Sequence, residues 1–600
     1  MILAGAGSGK TKVLTYRAAH LIKDEGVNPS SVLLLTFTNK AAGEMLSRVQ
    51  TLLETNYSSP TGGTFHSFSV RILRKFGLAV GVPISFSVFD ENDQIETIKR
   101  AMQVLGVDQK AMRPASILNS ISDAKNNLIG EKEYASYAKG SFQETVAKVY
   151  TVYQNLLRQY SGLDFDDLLL KTVKLLKEDE NTLNRVRELF PYVLVDEYQD
   201  TNKAQYELTK LLAIKSHHLT VVGDASQAIY SWRGADYKNL QYLKRDFPEI
   251  ITINLEQNYR SSQNILMAAN EVIEKNKNHP ILRLWTNNEQ GEKIAIFQAE
   301  SEIDEAQYIL KEVKGNSRKG VQLSDYAVLY RTNAQSRVVE EAFLHDGIPY
   351  ILFGGTRFYE RKEVKDILSY LRILVNPEDE VSRKRAEKIG KGRVKKLEES
   401  RTGIDLQSNS ISILDQVLRI TGYLDLYDTN NEEDMARIEN IKELRSVATE
   451  FSDLSEFLQQ ITLTEKESRS GNTRSSVDER DAVTLMTLHS AKGLEFRRIF
   501  MVGMEEGLFP HSRALLSTEE MEEERRLCYV GMTRAKDKLY LSYALRRLYF
   551  GQRNSNPPSR FLADVPEELI EVKNKIRQTR HISEQWGFDE NGNWKWSPDD

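Results

Sequence analysis

The sequence has a single cysteine, Cys528, among its 600 residues. One thiol cannot form an internal disulfide or a cysteine metal cluster, so we expect the reducing cytoplasm. The nine histidines show no paired metal-ligand spacing. No apolar run approaches the ~18 residues of a membrane-spanning helix, and the first residues do not resemble a secretory signal. These absences exclude a disulfide-stabilised secreted domain and a transmembrane protein.

An excess of positive charge is also lacking. The chain has 81 Lys and Arg against 86 Asp and Glu, which gives a net charge of -5. Domains that bind nucleic acid are often basic. A local basic groove nevertheless disappears in the sum over a chain of this length, which allows about four domains. Composition therefore leaves the function open.

Short apolar runs alternate with stretches of helical periodicity, such as those over 13–22 and 39–49. Strands that alternate with helices predict a parallel sheet covered by helices on both faces, so the fold class is α/β. The runs that we predict as strands are 2–4, 32–37, 192–195, 219–222 and 250–255 in the first half, and 294–297, 326–330, 483–487, 498–502 and 538–543 in the second.

Two long stretches interrupt this alternation. Residues 91–162 contain no strand-like run and predict a helical insertion, and 376–480 predict a second one. Within the second, 468–480 is rich in Ser, Arg and Gly and predicts a mobile loop. The tail from 571 to 600 has little periodicity. Its tryptophans stand among Gly, Asn and Asp, which favours a loose end over a partner-binding peptide.

A phosphate-binding loop is predicted at Ala4-Gly5-Ala6-Gly7-Ser8-Gly9-Lys10-Thr11, between the first strand and the first helix. Glycines let backbone N–H groups turn towards phosphate oxygens, and the helix N-terminus adds positive potential. Lys10 would reach the β- and γ-phosphates, and the Thr11 hydroxyl would ligate Mg²⁺. A Gly-rich turn without function is the alternative. The Gly-Lys-Thr sequence in this context favours phosphate binding.

Two acids, Asp196 and Glu197, end a predicted buried strand. In a parallel α/β sheet, side chains at this position lie at the ligand-binding edge. Asp196 suits a Mg²⁺ ligand, and Glu197 suits a general base that polarises the attacking water. A strand that runs out into solvated acids is as good an interpretation of this pair alone. Together with the phosphate loop, the pair favours a catalytic site.

An ordered series of motifs makes the resemblance specific. Around the acid pair stands Asp196-Glu197-Tyr198-Gln199-Asp200, and the other motifs follow in order along the chain. The series resembles that of superfamily 1 DNA helicases of the UvrD/PcrA/Rep family, from residue 2 to about 570. The matching stretches are 36–42, 64–67, 194–201, 223–235, 258–261, 330–333, 487–496 and 529–535.

The resemblance implies two RecA-like phosphate-loop motor domains with parallel sheets, each with a helical insertion subdomain. The implied boundaries are 1–88 with 163–261 for the first motor domain, 89–162 for its insertion, 262–376 with 481–570 for the second motor domain, 377–480 for its shortened insertion, and 571–600 for a flexible tail.

The resemblance also implies ATP and Mg²⁺ as cofactors. Gln227 would sense the γ-phosphate, Arg260 and Arg534 would act as arginine fingers, Tyr259 would stack on adenine, and Glu495 would lie near the ribose. Outside a motif, each of these residues is more often a structural one. The implied ATP-binding set is Ala4, Gly5, Ala6, Gly7, Ser8, Gly9, Lys10, Thr11, Lys12, Tyr259 and Glu495; the catalytic set is Lys10, Glu197, Gln227, Arg260 and Arg534; the metal ligands are Thr11 and Asp196.

For DNA, the resemblance implies aromatic rings that stack on bases and polar groups around them. A lone aromatic in a chain of this size is more often part of the core. The implied stacking residues are Phe37, Phe65, Tyr230, Trp232 and Phe550, and the implied polar contacts are Thr38, Asn39, Thr64, His66, Arg233, Arg331, Asn333 and His511.

The function implied is an ATP-dependent DNA helicase that moves 3′ to 5′ on single-stranded DNA in repair, replication or recombination. Single-stranded DNA and single-strand/duplex junctions would be its partners, with repair or replication proteins, and it would be a monomer or weak dimer. A hairpin near 548–551 would separate strands. The stretch 389–393 resembles the start of a duplex-gripping element, but a solvated basic helix over 384–396 is equally favoured.

Two alternatives stay open. The shortened second insertion suits a single-strand translocase that unwinds weakly. The chain also begins inside the phosphate-loop strand, without an adenine-reading segment that the family has. Either the start given is too far downstream or the protein has lost that contact. A non-motor DNA-binding module with a crippled ATPase is therefore a further hypothesis, against which the full set of catalytic residues argues.

Overall fold

The computed structural model describes residues 1–53, 57–109, 111–317, 320–429, 431–472, 481–549, 551–574, 586–588 and 594–596. The chain opens with three strands and three helices in alternation. The middle strand, Val32–Thr36, is buried along its whole length, as an apolar run flanked by helices requires. These elements are β1 (Ile2–Ala4), α1 (Lys10–Lys23), β2 (Val32–Thr36), α2 (Asn39–Leu53), β3 (Thr61–Thr64) and α3 (Phe65–Phe76).

The first insertion is a helical subdomain on a small stem of two parallel strands. Lys125 is buried at its root, with Nζ at 2.5 Å from Asp164 Oδ2 and 3.0 Å from Asp167 Oδ2. This cluster ties the insertion to the lobe beneath it. Its elements are β4 (Ser87–Phe89), α4 (Glu91–Val104), α5 (Pro114–Asn126), α6 (Glu131–Tyr137), α7 (Ser141–Gln159) and β5 (Gly162–Asp164).

The first lobe is completed after this insertion. Its sheet has six strands, all parallel, in the order β3-β2-β6-β7-β1-β8. The first strand of the chain therefore lies inside the sheet, between two strands from much later in the sequence. The added elements are α8 (Phe165–Glu178), α9 (Glu180–Leu189), β6 (Tyr192–Val195), α10 (Lys203–Ala213), β7 (Leu219–Gly223), α11 (Asn239–Asp246) and β8 (Ile253–Leu255).

The second lobe begins with another alternating series. The buried core around Tyr326, Val328 and Phe500 is separate from that of the first lobe. Ile265 and Leu266 instead pack in a core that also contains Ala6 and Ile229 of the first lobe. The elements are α12 (Gln263–Glu274), β9 (Ile294–Ala299), α13 (Glu302–Ser317), β10 (Tyr326–Tyr330), α14 (Ser336–His345), β11 (Tyr350–Leu352) and α15 (Lys362–Val375).

The second insertion consists of helices with a core of their own. Arg337 of α14 joins it to the lobe, because Nε donates to Glu443 Oε1 at 2.6 Å and both side chains are buried. At Gly390 the first helix leaves helical geometry (φ 168°, ψ 112°). The helices are α16 (Glu380–Ser400), α17 (Ser410–Thr421), α18 (Glu432–Ala448) and α19 (Leu454–Asn472).

The last part of the chain completes a seven-stranded parallel sheet in the order β11-β12-β10-β13-β14-β9-β17. A short antiparallel hairpin, β15–β16, follows the sheet's longest strand. The elements are β12 (Val483–Thr487), β13 (Phe496–Met501), α20 (Thr518–Met532), β14 (Ala535–Ala544), β15 (Arg547–Tyr549), β16 (Gln552–Asn554), α21 (Arg560–Ala563) and β17 (Ile570–Val572).

The fold confirms the predicted class, two parallel-sheet RecA-like lobes with helical insertions. Two local expectations need correction. The predicted loop 468–480 is helical as far as Asn472, and the rest of it lies outside the described residues. The predicted loose tail starts two residues too early, because Glu571 and Val572 belong to β17 of the second sheet. Further along, β18 (Trp586–Phe588) and β19 (Trp594–Trp596) form an antiparallel pair. Among the described residues, no helix is long and apolar enough to span a membrane.

Candidate functional site

The phosphate loop between β1 and α1 depends on two glycines with left-handed backbone, Gly7 (φ 66°) and Gly9 (φ 91°). A Cβ atom at Gly7 would lie 2.5 Å from Asn258 Nδ2. That amide donates to the Ala6 carbonyl at 2.8 Å. A later segment of the chain thus fixes the loop, and only glycine fits at the point of contact.

The two predicted metal ligands meet at the end of β6. The Thr11 hydroxyl donates to Asp196 Oδ2 at 3.1 Å. Burial, and then the charge of Glu197, raises the pKa of Asp196 to about 6. The Thr11 hydroxyl and the buried Asp196 carboxylate are the oxygen donors that Mg²⁺ prefers, so these residues fit the ion. Lys10, which lies nearby, would bind the phosphates.

Glu197 has a strained backbone, with φ at 48°. A non-glycine residue in this region costs on the order of 1–3 kcal/mol and is found at functional sites. Burial favours the protonated acid, but the positive charges of Lys10 and Lys492, with a hydrogen bond from Gln199, outweigh burial and lower its pKa. Glu197 is therefore ionised at neutral pH, as a general base must be.

Gln227 connects the two lobes at this site. Its Nε2 donates to Asp224 Oδ2 at 2.6 Å, and its Oε1 accepts from Arg534 of the second lobe at 3.4 Å. All three side chains are buried. The predicted γ-phosphate sensor and one predicted arginine finger are thus in contact.

The two arginines lie close enough to repel each other. Burial, and then the charge of Arg260, lowers the pKa of Arg534 to about 9. Arg260 itself donates to Glu495 Oε2 at 2.7 Å and to the Thr533 carbonyl at 3.0 Å. Two guanidinium groups in one buried cleft are stabilised by an anion, which is the chemistry of a phosphate site.

The predicted adenine-stacking ring, Tyr259, is 67% exposed. Its hydroxyl bonds to Gln257 at 3.0 Å, which leaves the ring faces open. Lys12 lies over a different ring, that of Tyr16, at 5.6 Å from the centroid. The predicted ribose neighbour, Glu495, pairs with Lys536 at 2.7 Å in addition to Arg260.

Lys492 was missing from the predicted site, although it lies inside the matching stretch 487–496. Its Nζ donates to Asp200 Oδ2 at 2.5 Å and to the Gln227 carbonyl at 2.7 Å. A lysine of the second lobe thereby contacts both the acid box (Asp196–Asp200) and the sensor turn (Asp224–Gln227) of the first. The Ala-Lys-Gly sequence in that motif was the available signal.

Three predicted DNA-facing aromatics come together beside the nucleotide site. The rings of Phe37 and Tyr230 are parallel within 9°, with centroids 5.6 Å apart, and Trp232 lies edge-on to Tyr230 at 6.5 Å. Arg233 covers the Trp232 ring at 4.4 Å. The rings of Phe37, Tyr230 and Trp232 form the aromatic group. Lys492 lies 5.0 Å from the Tyr230 centroid, so one side chain contacts both the aromatic group and the acid box.

Three cationic side chains lie near His489, beside these rings. Burial, and then the charges of Arg331, Arg233 and Lys492, lowers the pKa of His489 well below its ordinary value. The Tyr230 hydroxyl donates to the His489 carbonyl at 3.4 Å. A local cluster of cations therefore exists in a chain whose net charge is -5.

The structure does not place every predicted contact on an open surface. Phe65 is 2% exposed and packs in the core of the first lobe, which corrects the expectation of a base-stacking ring. The Thr64 hydroxyl caps α3, and that of Thr38 caps α2 near Asn39. Burial lowers the pKa of His66 to about 4, so its imidazole is neutral, with the ring of Phe165 beside it.

Two further predicted contacts are occupied by carboxylates. Arg331 Nε donates to both carboxylate oxygens of Glu524, at 2.9 and 3.1 Å. This pairing outweighs the effect of burial and raises the pKa of Arg331. His511 Nε2 lies 3.1 Å from Glu439 Oε1 of the second insertion. Asn333 borders a cavity of about 870 Å³ between the second lobe and its insertion. Phe550 lies outside the described residues.

Fold and site together define a two-lobed phosphate-loop protein with a nucleotide site between parallel α/β lobes. Two protein families match the chain. The family described as "UvrD/REP helicase N-terminal domain" matches residues 1–248, and the one described as "UvrD-like helicase C-terminal domain" matches 253–415 and 410–546. The chain belongs to the UvrD-like helicase family.

Named relatives match nearly the whole chain. The ATP-dependent DNA helicase PcrA of Staphylococcus epidermidis is 42% identical over 627 residues, which cover 95% of this chain and 85% of that protein. The protein of the same name from Bacillus subtilis strain 168 is 41% identical over 640 residues, with 97% and 86% covered.

Proposed function

We propose that this chain is an ATP-dependent DNA helicase that moves along single-stranded DNA. The observation that carries the proposal is Lys492, which contacts the acid box, the sensor turn and the aromatic group at once. A group so placed transmits a change at the phosphate to the rings beside it. The matched relatives carry the name of ATP-dependent DNA helicases.

In the nucleotide step, this chain's residues position and polarise. Lys10 and the loop N–H groups would hold the β- and γ-phosphates, and Glu197 would take the proton from the attacking water. Mg²⁺, held by Thr11 and Asp196, would supply charge neutralisation on the phosphates. Arg260 and Arg534 would stabilise the charge that develops on the transferred group.

In the DNA step, the rings of Phe37, Tyr230 and Trp232 would stack on bases. Stacking tolerates any base sequence, which a moving enzyme requires. Because Arg534 and Lys492 belong to the second lobe and Gln227 to the first, loss of the γ-phosphate would open the cleft and shift one lobe along the strand.

ATP hydrolysis by the full chain, with and without single-stranded DNA, tests the proposal. We expect strong stimulation by DNA. Duplexes with either a 3′ or a 5′ single-stranded tail then test the 3′-to-5′ direction, and unwinding only from the 3′ tail is expected. Omission of Mg²⁺ should abolish turnover. An equal rate of hydrolysis with and without DNA would contradict the helicase assignment.

The non-motor alternative is disfavoured by the ionised Glu197 and by the contact between Gln227 and Arg534. A module with a retired ATPase has no need of either. Stimulated hydrolysis without unwinding of either tailed duplex would favour the single-strand translocase instead. Repair or replication remains our proposal for the pathway, with junction DNA as the substrate and a monomer or weak dimer as the active species.

A further inference from the structure

The turn Asp224–Gln227 is held by a histidine that lies outside every motif described above. Ser226 Oγ and His279 Nε2 are 3.1 Å apart, and both side chains are buried. His279 lies in the connection between α12 and β9. A residue of the second lobe's opening segment therefore contacts the turn that carries the predicted γ-phosphate sensor.

The segment that carries His279 is fastened to α20. Asn276 Nδ2 donates to the Glu522 carbonyl at 2.9 Å, and the Lys277 N–H donates to Glu522 Oε1 at 2.9 Å. The helix α20 ends two residues before Arg534. The position of His279 is thus tied to the element that positions the arginine finger.

Only one nitrogen of the His279 ring has a partner. Burial, and then the charge of Arg526, lowers its pKa to about 4, so the ring is neutral, with one donor and one acceptor nitrogen. Within the described residues, Nδ1 is buried without a hydrogen-bond partner. Whatever polar contact the ring makes with the turn is therefore made by Nε2.

We propose that His279 is a positioning residue for ATP hydrolysis, which acts through Ser226 to hold Gln227 where it meets Arg534. The inference rests on the proposed function. Arg534 Nη2 and Gln227 Oε1 are 3.4 Å apart, so a small shift of the turn would break this hydrogen bond. Misplacement of a catalytic group by about 1 Å costs up to ~100-fold in rate.

Two substitutions separate the ring nitrogens. The amide of H279Q reaches the place of Nε2, whereas that of H279N reaches only the place of Nδ1, which has no partner. We expect kcat for DNA-stimulated ATP hydrolysis to fall about tenfold in H279N, with KM for ATP within about twofold of the wild type. H279Q should retain kcat within about twofold. The exposed His345 at the end of α14 gives the control, H345N, with no loss.

A double-mutant cycle completes the test. S226A should lower kcat as H279N does, and the double variant should lose no more than either single one, because one contact is removed. Equal losses in H279N and H279Q, or none in either, would overturn the inference. If H279N does not fold, an unchanged kcat in S226A overturns it. A wild type without DNA-stimulated hydrolysis would overturn the proposed function instead.

Discussion

The nucleotide site and the aromatic group are a few residues apart in sequence, but buried charges and amides form the first and aromatic rings form the second. In the turn Asp224–Gln227 each side chain is buried, and its charges and amides are paired. From Tyr230 to Arg233 the chain presents rings that contact one another and a guanidinium. Buried, fixed charge acts strongly through a single group, whereas stacking spreads its effect over several rings.

The largest effect should come from Glu197→Gln. The change keeps the size of the side chain but removes the base, so ATP turnover should fall by roughly 100-fold or more. Single-strand binding should be unchanged, because the rings are untouched. Steady-state hydrolysis and a DNA-binding titration measure the two effects. Glu188→Gln, at an exposed position of α9, is the matched control. Normal turnover in Glu197→Gln would show that this site does not hydrolyse ATP.

Trp232→Ala should uncouple the two regions. Loss of the ring also removes the surface on which Arg233 lies, 4.4 Å from its centroid. We expect DNA-stimulated hydrolysis to be retained in part while strand separation is lost, since the charges of the nucleotide site stay in place. Unwinding of a tailed duplex at saturating ATP is the measurement. Unchanged unwinding would remove Trp232 from the DNA path.

A smaller effect should distinguish two phenylalanines. Phe37→Ala removes a ring parallel to Tyr230 and should weaken single-strand binding by about 1–3 kcal/mol. Phe65→Ala leaves a cavity in the core and should lower stability by about 3–5 kcal/mol. Thermal unfolding and DNA titration of both variants separate these outcomes. Phe65→Leu removes less volume than Phe65→Ala, and weakened binding in this variant at unchanged stability would restore Phe65 as a DNA contact.

An effect of similar size concerns the pH dependence of stability. The pKa of His279 is about 4 in the folded chain, below its ordinary value of 6.5. As pH falls, the unfolded chain therefore binds the proton first. The free energy of unfolding is at its full value above pH 6.5 and decreases as pH falls towards 4. At pH 5 the decrease is about 2 kcal/mol. Unfolding temperature should drop less between pH 7 and 5 in His279→Gln than in the wild type. Equal slopes would show that the ring is protonated in the folded state.

Sequence patterns predicted the interior of both sheets. Each of the ten predicted strands has a counterpart, and four of them have the observed bounds: Ile2–Ala4, Tyr192–Val195, Tyr326–Tyr330 and Val483–Thr487. The strands that were missed in the two large sheets, β3, β11 and β17, all lie at sheet edges. Edge strands are partly exposed, so a buried apolar run is not required of them.

The site was predicted as a set of residues rather than as a set of contacts. The phosphate loop, acid pair, Gln227 and both arginines meet because their motifs lie at the ends of parallel strands or across the cleft. That Arg331 faces Glu524, 193 residues away, has no local signal. Nor does the burial of Phe65, because a motif defines a neighbourhood and not the direction of a side chain.

The order of strands in the first sheet has a consequence for synthesis. Ile2 pairs with Val222 on one side and Ile253 on the other. The strand that leads into the phosphate loop therefore has its full pair of neighbours only after more than 250 residues have been made. At ~5–20 residues per second this takes roughly 10–50 s. During translation the nucleotide cannot guide the folding of this lobe, because its binding loop is among the last parts to be completed.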